Sequence, residues 1–216
     1  MFKKIDLDSW KRKAQYDLFR DYENPFFNIT ANVDVTNLVN YCKKNDESFF
    51  LNSLYIGAKV NNEIDEFRMR IRGDDVIIYD KINFGAPVLH KDNTFTFCYF
   101  NYSKNREKFI KDAEKSVEEE LANPNFNPRH DEDDIIHFSV LPWINFTSIK
   151  HARRIPVDDS IPKIVYGKYT ELNSHYIMPI SLEIHHALLD GYHAGLFYEK
   201  WQQIENNFQN IIDDKN

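Results

Sequence analysis

The sequence predicts an α+β fold, a single domain in which a mixed β-sheet carries helices packed on one side. Three observations lead there. Stretches alternating apolar and polar residues with a period of two are mixed with stretches whose apolar residues recur every three or four positions, without strict strand–helix alternation. The 216 residues suit one domain, 1–216, with a sizeable core. Hydrophobic residues make up 42% of the chain, and the 17 Phe and 12 Tyr are spread along all of it, which argues against disorder.

Each element has its own signal. Asp8 or Ser9 is placed to cap a first helix over 10–19. Asn24-Pro25 breaks it before a strand over 27–35, where Phe27, Ile29, Ala31, Val33 and Val35 alternate with polar residues. Thr36 is placed to cap a short helix to Cys42. A longer helix over 47–61 gathers Leu51, Leu54, Tyr55 and Ala58 on one face. Strands over 66–71 and 76–79 flank Arg72-Gly73-Asp74-Asp75, a hairpin signal. Residues 94–102 form an aromatic-rich strand, and Phe109, Ile110, Ala113, Val117 and Leu121 recur at helical spacing. Residues 123–134, with two prolines and an acidic run, read as an exposed loop. Strands follow at 135–141, 164–169 and 176–186, and a last helix carries Phe197, Trp201, Ile204, Phe208 and Ile211 on one stripe.

Charge and cysteine content exclude several functions. The 27 Lys and Arg against 34 Asp and Glu give a net charge of −7, and there is no long basic stretch, so no nucleic-acid partner is expected. His151-Ala152-Arg153-Arg154 is a short basic cluster. Cys42 and Cys98 make neither a disulfide framework nor a CxxC motif. The charged N-terminus lacks the apolar core of a signal peptide, and no apolar run is long enough to span a membrane. A cytoplasmic protein is expected, with no membrane partner.

His185-His186-Ala187-Leu188-Leu189-Asp190-Gly191 is the most informative segment. Upstream, Met178, Ile180, Leu182 and Ile184 alternate with Pro179, Ser181, Glu183 and His185. If the extended form persists, His186 follows the apolar set inward and His185 the polar set. A histidine on an apolar, water-poor face is a candidate general base. A metal site from His185, His186, Asp190 and His193 is disfavoured, because adjacent strand histidines face opposite ways. No metal is expected.

These motifs resemble those of the chloramphenicol acetyltransferases, in the same order along nearly the whole chain. Trp10-Lys11-Arg12-Lys13 is similar to the family's Trp-x-Arg-Lys, and Glu66-Phe67-Arg68-Met69 to its entry into a strand. Ser139-Val140-Leu141-Pro142-Trp143 matches Ser-x-x-Pro-Trp, and Gly167-Lys168-Tyr169 matches Gly-Lys-Tyr. His185-His186 through Asp190-Gly191-Tyr192-His193 matches His-His-x-x-x-Asp-Gly-aromatic-His.

The resemblance implies the family's CoA-dependent acyltransferase fold, a homotrimer with active sites between subunits, and acetyl transfer from acetyl-CoA to a hydroxyl of chloramphenicol. Acetyl-CoA is then a co-substrate and no permanently bound cofactor is implied. His186 takes the place of the catalytic base and Ser139 that of the donor to the tetrahedral oxyanion. Asp190 and Arg12 take the places of a structural ion pair, with His185 in support. Lys168 and Tyr169 stand as CoA contacts. Tyr16, Phe19, Pro25, Phe95, Ile149 and Val165 stand on the acceptor side. The chemistry fits: an alcohol is a poor nucleophile near neutral pH, neutral imidazole has a suitable pKa of ~6.5, and an oxyanion donor can contribute ~3 kcal/mol.

Several positions depart from the family. Pro25 replaces a cysteine, Val165 a threonine, Ile149 and His151 a Phe and a Leu, and Ser48 a lysine that helps bind CoA. These changes fall mainly on the acceptor pocket, so a different small hydroxyl acceptor is the alternative reading. A dihydrolipoamide acyltransferase core shares the His-x-x-x-Asp-Gly logic, but this chain keeps Trp10-x-Arg12 and shows no lipoyl-type domain. A non-catalytic trimeric binding protein on the same fold is disfavoured by the presence of His186, Ser139, Arg12 and Asp190 together.

Overall fold

The structure is a computed structural model that describes residues 1–129, 131–153 and 159–213; Arg154 of the basic cluster lies outside them. Strands β1 (Phe2–Lys4), β3 (Met69–Arg72) and β4 (Asp75–Tyr79) form a three-stranded sheet in the order β1-β4-β3. The larger sheet takes β2 (Phe26–Asp34), β5 (Asn83–Leu89), β6 (Phe95–Phe100), β7 (Ile135–Leu141), β8 (Lys163–Gly167) and β10 (His175–His185). Their order is β2-β10-β8-β7-β5-β6, with β9 (Thr170–Leu172) paired to the start of β10. The β5–β7 and β7–β8 pairs are parallel and the others antiparallel. The sheet is therefore mixed, as expected.

Strand alternation separates two faces. Met178, Ile180, Leu182 and Ile184 of β10 are wholly buried, in register with Val33, Ala31, Ile29 and Phe27 of β2. Against this face pack α2 (Thr36–Asn45), α3 (Phe49–Glu63), α4 (Arg106–Ala122) and α5 (Gly191–Asn206). Burying one such side chain contributes about 1.5–3 kcal/mol, so this face supplies much of the stability. Ser48 caps α3 by accepting from the Leu51 amide at 3.3 Å. Helix α3 is buried nearly all round and rests on the sheet at Gly57, where a Cβ would come within 2.1 Å of the Tyr166 hydroxyl.

The opposite face carries Ser139 and His137 of β7, Val165 and Lys163 of β8, and Ser181, Glu183 and His185 of β10. In β10 this polar set is as buried as the apolar one.

Local differences from the sequence reading have identifiable causes. The first helix, α1, spans Lys13–Phe19 rather than starting at Trp10. Neither Asp8 nor Ser9 caps it, since the Ser9 hydroxyl donates to Asp6 at 2.7 Å. Thr36 opens α2 but does not cap it; the Asp34 carboxylate accepts from its amide at 2.8 Å. Residues Asp65–Arg68 form a 3-10 turn instead of strand, and the hairpin after it is confirmed, with Gly73 at φ 58°. Strand β5 gave no signal because Gly85 and Pro87 read as breakers. The last helix is two, α5 and α6 (Phe208–Asp213), divided at Asn207.

Candidate active site

Strand β10 ends at His185, paired with Phe26. His186 opens a tight turn: its amide donates to the Pro25 carbonyl at 2.8 Å, and the amides of Leu188 and Leu189 both donate to the His185 carbonyl at 3.0 Å. The parity argument therefore stops one residue short of His186, yet its ring still lies beside apolar groups. It stacks on Phe19 with centroids 3.8 Å apart and planes 7° apart, and Phe27 lies 4.5 Å away. Its Nδ1 is buried without a hydrogen-bond partner among the described residues. Two aromatic rings thus fix the imidazole plane where a buried acid does so in other hydrolytic and transfer sites.

His185 is 1% exposed, meets Phe26 edge-on at 5.0 Å, and accepts from the Ala187 amide through Nδ1 at 3.2 Å. Burial, the largest influence, pushes its pKa down to about 4, so it is a neutral support for the turn.

Asp190 makes three contacts, none with His186. Oδ2 accepts from Arg12 Nη1 at 2.7 Å; Oδ1 accepts from the Tyr192 amide at 3.0 Å and lies 2.8 Å from His193 Nδ1, capping α5. His193 Nε2 in turn lies 3.5 Å from Glu66. Burial alone would raise the Asp190 pKa, but the Arg12 hydrogen bond and the charges of His193 and Arg12 outweigh it and bring it down to about 2. The carboxylate is committed to holding α1 and α5 together.

Ser139 lies on β7 in register with Val165, and Val165 pairs with Ser181 on β10. Two strand spacings of ~4.8 Å and five residue steps of ~3.3 Å therefore put Ser139 roughly 19 Å from His186 within one chain. One chain does not bring the two together. Lys168 is exposed, and its loop is held by its amide donating to the Ile144 carbonyl at 2.8 Å and by Asn145 Nδ2 donating to its carbonyl at 3.1 Å. Tyr169 packs edge-on against Phe49 at 4.9 Å, next to Ser48 at the start of α3.

The residues expected on the acceptor side are scattered in the same way. Phe19 and Pro25 adjoin His186. Phe95 is 47% exposed on the edge strand β6, clustered with Phe97 and Phe126. Ile149 is half-buried in the connection between β7 and β8, and Val165 is buried beside Ser139. Tyr16 is 0% exposed and packed against Trp10, and its hydroxyl is buried without a hydrogen-bond partner among the described residues. A cavity of ≈ 460 Å³ opens elsewhere, between α2 and α6, and includes none of these residues. Among the described residues, no cluster of three or more His, Cys, Asp or Glu is arranged to hold a metal.

Sequence reasoning missed a buried charged group on the polar face of β10. Arg153 bonds Glu183 through Nε, Asp159 through Nη1 at 2.8 Å and the Ile161 carbonyl through Nη2 at 3.1 Å. Its guanidinium lies 3.5 Å from the Phe26 ring centre. The available signal was Glu183, a charged residue inside an otherwise apolar strand, which needs a partner if buried.

Comparison with known proteins agrees with this architecture. The family model described as chloramphenicol acetyltransferase matches residues 1–202. A chloramphenicol acetyltransferase of Proteus mirabilis is 27% identical over 200 residues, covering 92% of each chain. Among solved structures, a chloramphenicol acetyltransferase superposes with a TM-score of 0.88 at 30% identity, covering 94% of this chain and 99% of that one. A dihydrolipoamide acetyltransferase of Azotobacter vinelandii, 14% identical with a TM-score of 0.65 over 88% of this chain and 85% of that one, shares the fold.

Proposed function

This chain belongs to the chloramphenicol acetyltransferase family, and from that premise we propose how its residues divide the work. The protein is an acetyl-CoA-dependent acyltransferase, and its acceptor is chloramphenicol. His186 Nε2 takes the proton from the acceptor hydroxyl as the oxygen attacks the thioester carbonyl of acetyl-CoA. Ser139 donates to the oxygen that becomes negative in the tetrahedral intermediate. Collapse of the intermediate expels the CoA thiolate, which takes the proton from His186, so transfer is direct and no acyl-enzyme forms. Lys168 and Tyr169 contact CoA, and Phe19, Pro25, Phe95, Ile149 and Val165 surround the acceptor.

The observation that carries this reading is the setting of His186, with its imidazole clamped between Phe19 and Phe27 while Asp190 is spent on Arg12. The base is oriented by packing and the acid serves the scaffold. The wide separation of Ser139 and His186 within one chain supports a homotrimer in which Ser139 of one copy faces His186 of the next. Buried free thiols at Cys42 and Cys98 support a cytoplasmic location, where such thiols stay reduced. Among the described residues no helix is long and apolar enough to cross a membrane.

The test is the product. Purified protein with acetyl-CoA and chloramphenicol should release free thiol and yield O-acetylated chloramphenicol by mass spectrometry. Normal acetyl-CoA binding with no acetylated product would assign the enzyme to another hydroxyl acceptor.

A further inference from the structure

Residues 151–153, after β7, lie against the buried polar face of β10, and one side chain fastens them there. Arg153, 4% exposed in its side chain, bonds Glu183 of β10, Asp159 and the Ile161 carbonyl at once, and sits over the Phe26 ring of β2. Glu183, equally buried, uses its second oxygen to accept the His151 amide at 3.2 Å. The guanidinium thus couples two segments that the proposed function places at the acceptor site. One is the connection bearing Ile149. The other is Pro25-Phe26, where the Pro25 carbonyl accepts the His186 amide and Phe26 backs His185.

We propose that Arg153 is a positioning residue for the acceptor: its planar fork, held by Glu183 and Asp159 over the Phe26 ring, fixes residues 149–153 against the Pro25-Phe26 segment. This rests on the reading that Ile149 and Pro25 border the acceptor site. A planar fork is needed because a lysine cannot bond two carboxylates and sit over a ring together. A buried pair that served stability alone could be exchanged for apolar groups of similar size at little cost, whereas removing one partner strands the other charge.

That contrast supplies the test. Arg153→Met and the double variant Arg153→Met/Glu183→Leu are compared with wild type as full-length assembled enzyme, following kcat and both KM values with chloramphenicol and acetyl-CoA. Both variants should raise the chloramphenicol KM about tenfold or more, as a displaced binding wall does, while the acetyl-CoA KM stays within about twofold. Arg153→Lys should recover little of the loss. An unchanged chloramphenicol KM in either variant overturns the proposal and leaves the proposed function standing. So does a double variant whose KM returns to wild type, because the defect then belongs to a stranded carboxylate. A wild-type enzyme inert toward chloramphenicol overturns the proposed function, and this proposal with it.

Discussion

Arg12 and Asp190 meet at 2.7 Å although 178 positions separate them, joining the residue before α1 to the cap of α5. The turn carrying His186 lies directly before that cap. Arg12 Nε and Nη2 are buried with no hydrogen-bond partner among the described residues, so Asp190 is the carboxylate that bonds its guanidinium, with the charge of Glu66 nearby. Asp190→Asn should therefore cost about 2 kcal/mol or more of unfolding free energy and lower the rate as well, since it strands a buried guanidinium. Urea unfolding with parallel kinetics checks this, and a variant as stable as wild type would remove the pair from the account.

The same carboxylate predicts an acid limit. Its pKa is about 2 in the folded protein and ~3.9 when unfolded, so its stabilisation is complete above pH ~4 and lost as pH falls toward 2. Asp190→Asn should flatten the stability profile in that window only.

Histidines set a second window. His185 and His137 both have pKa values lowered to about 4, first by burial, against ~6.5 unfolded. The unfolded chain binds more protons between those values, so stability should fall as pH drops from 6.5 to 4. Each histidine contributes up to about 1.4 kcal/mol per pH unit there. His137→Phe, if it folds, should reduce that slope, and a profile identical to wild type would contradict the assignment.

Replacing His186 with Ala should abolish turnover and leave acetyl-CoA binding largely intact, because the base acts in the chemical step. His185→Ala should act mainly through the turn, with a smaller loss of kcat. Reversed effects would exchange the two roles.

Much of this arrangement was legible in the sequence because it depends on local pattern. The apolar alternation through Ile184 located β10, and the stripe of Phe197, Trp201 and Ile204 located the helix after it. The Arg12–Asp190 contact came from resemblance, since no periodicity links residues so far apart. Strand β5 was hidden by Gly85, whose missing side chain makes room for the Tyr99 ring, and by Pro87. The Arg153–Glu183 clamp was hidden because a basic residue in a loop ordinarily reads as solvated, and only tertiary structure buries it.

Ser139→Ala should lower kcat by ~10² or more with little change in the acetyl-CoA KM, as loss of one oxyanion donor does. A rate near wild type would take Ser139 out of the mechanism.

In the proposed homotrimer, Ser139 of one copy works with His186 of another. Co-refolding equal amounts of Ser139→Ala and His186→Ala chains tests it directly. In randomly mixed trimers of closed rotational symmetry, three in four contain both chains, and each of these has one intact site in three, so about a quarter of wild-type activity should return. Mixed assemblies no more active than the two variants kept apart would contradict the account, because each site would then be built within a single chain.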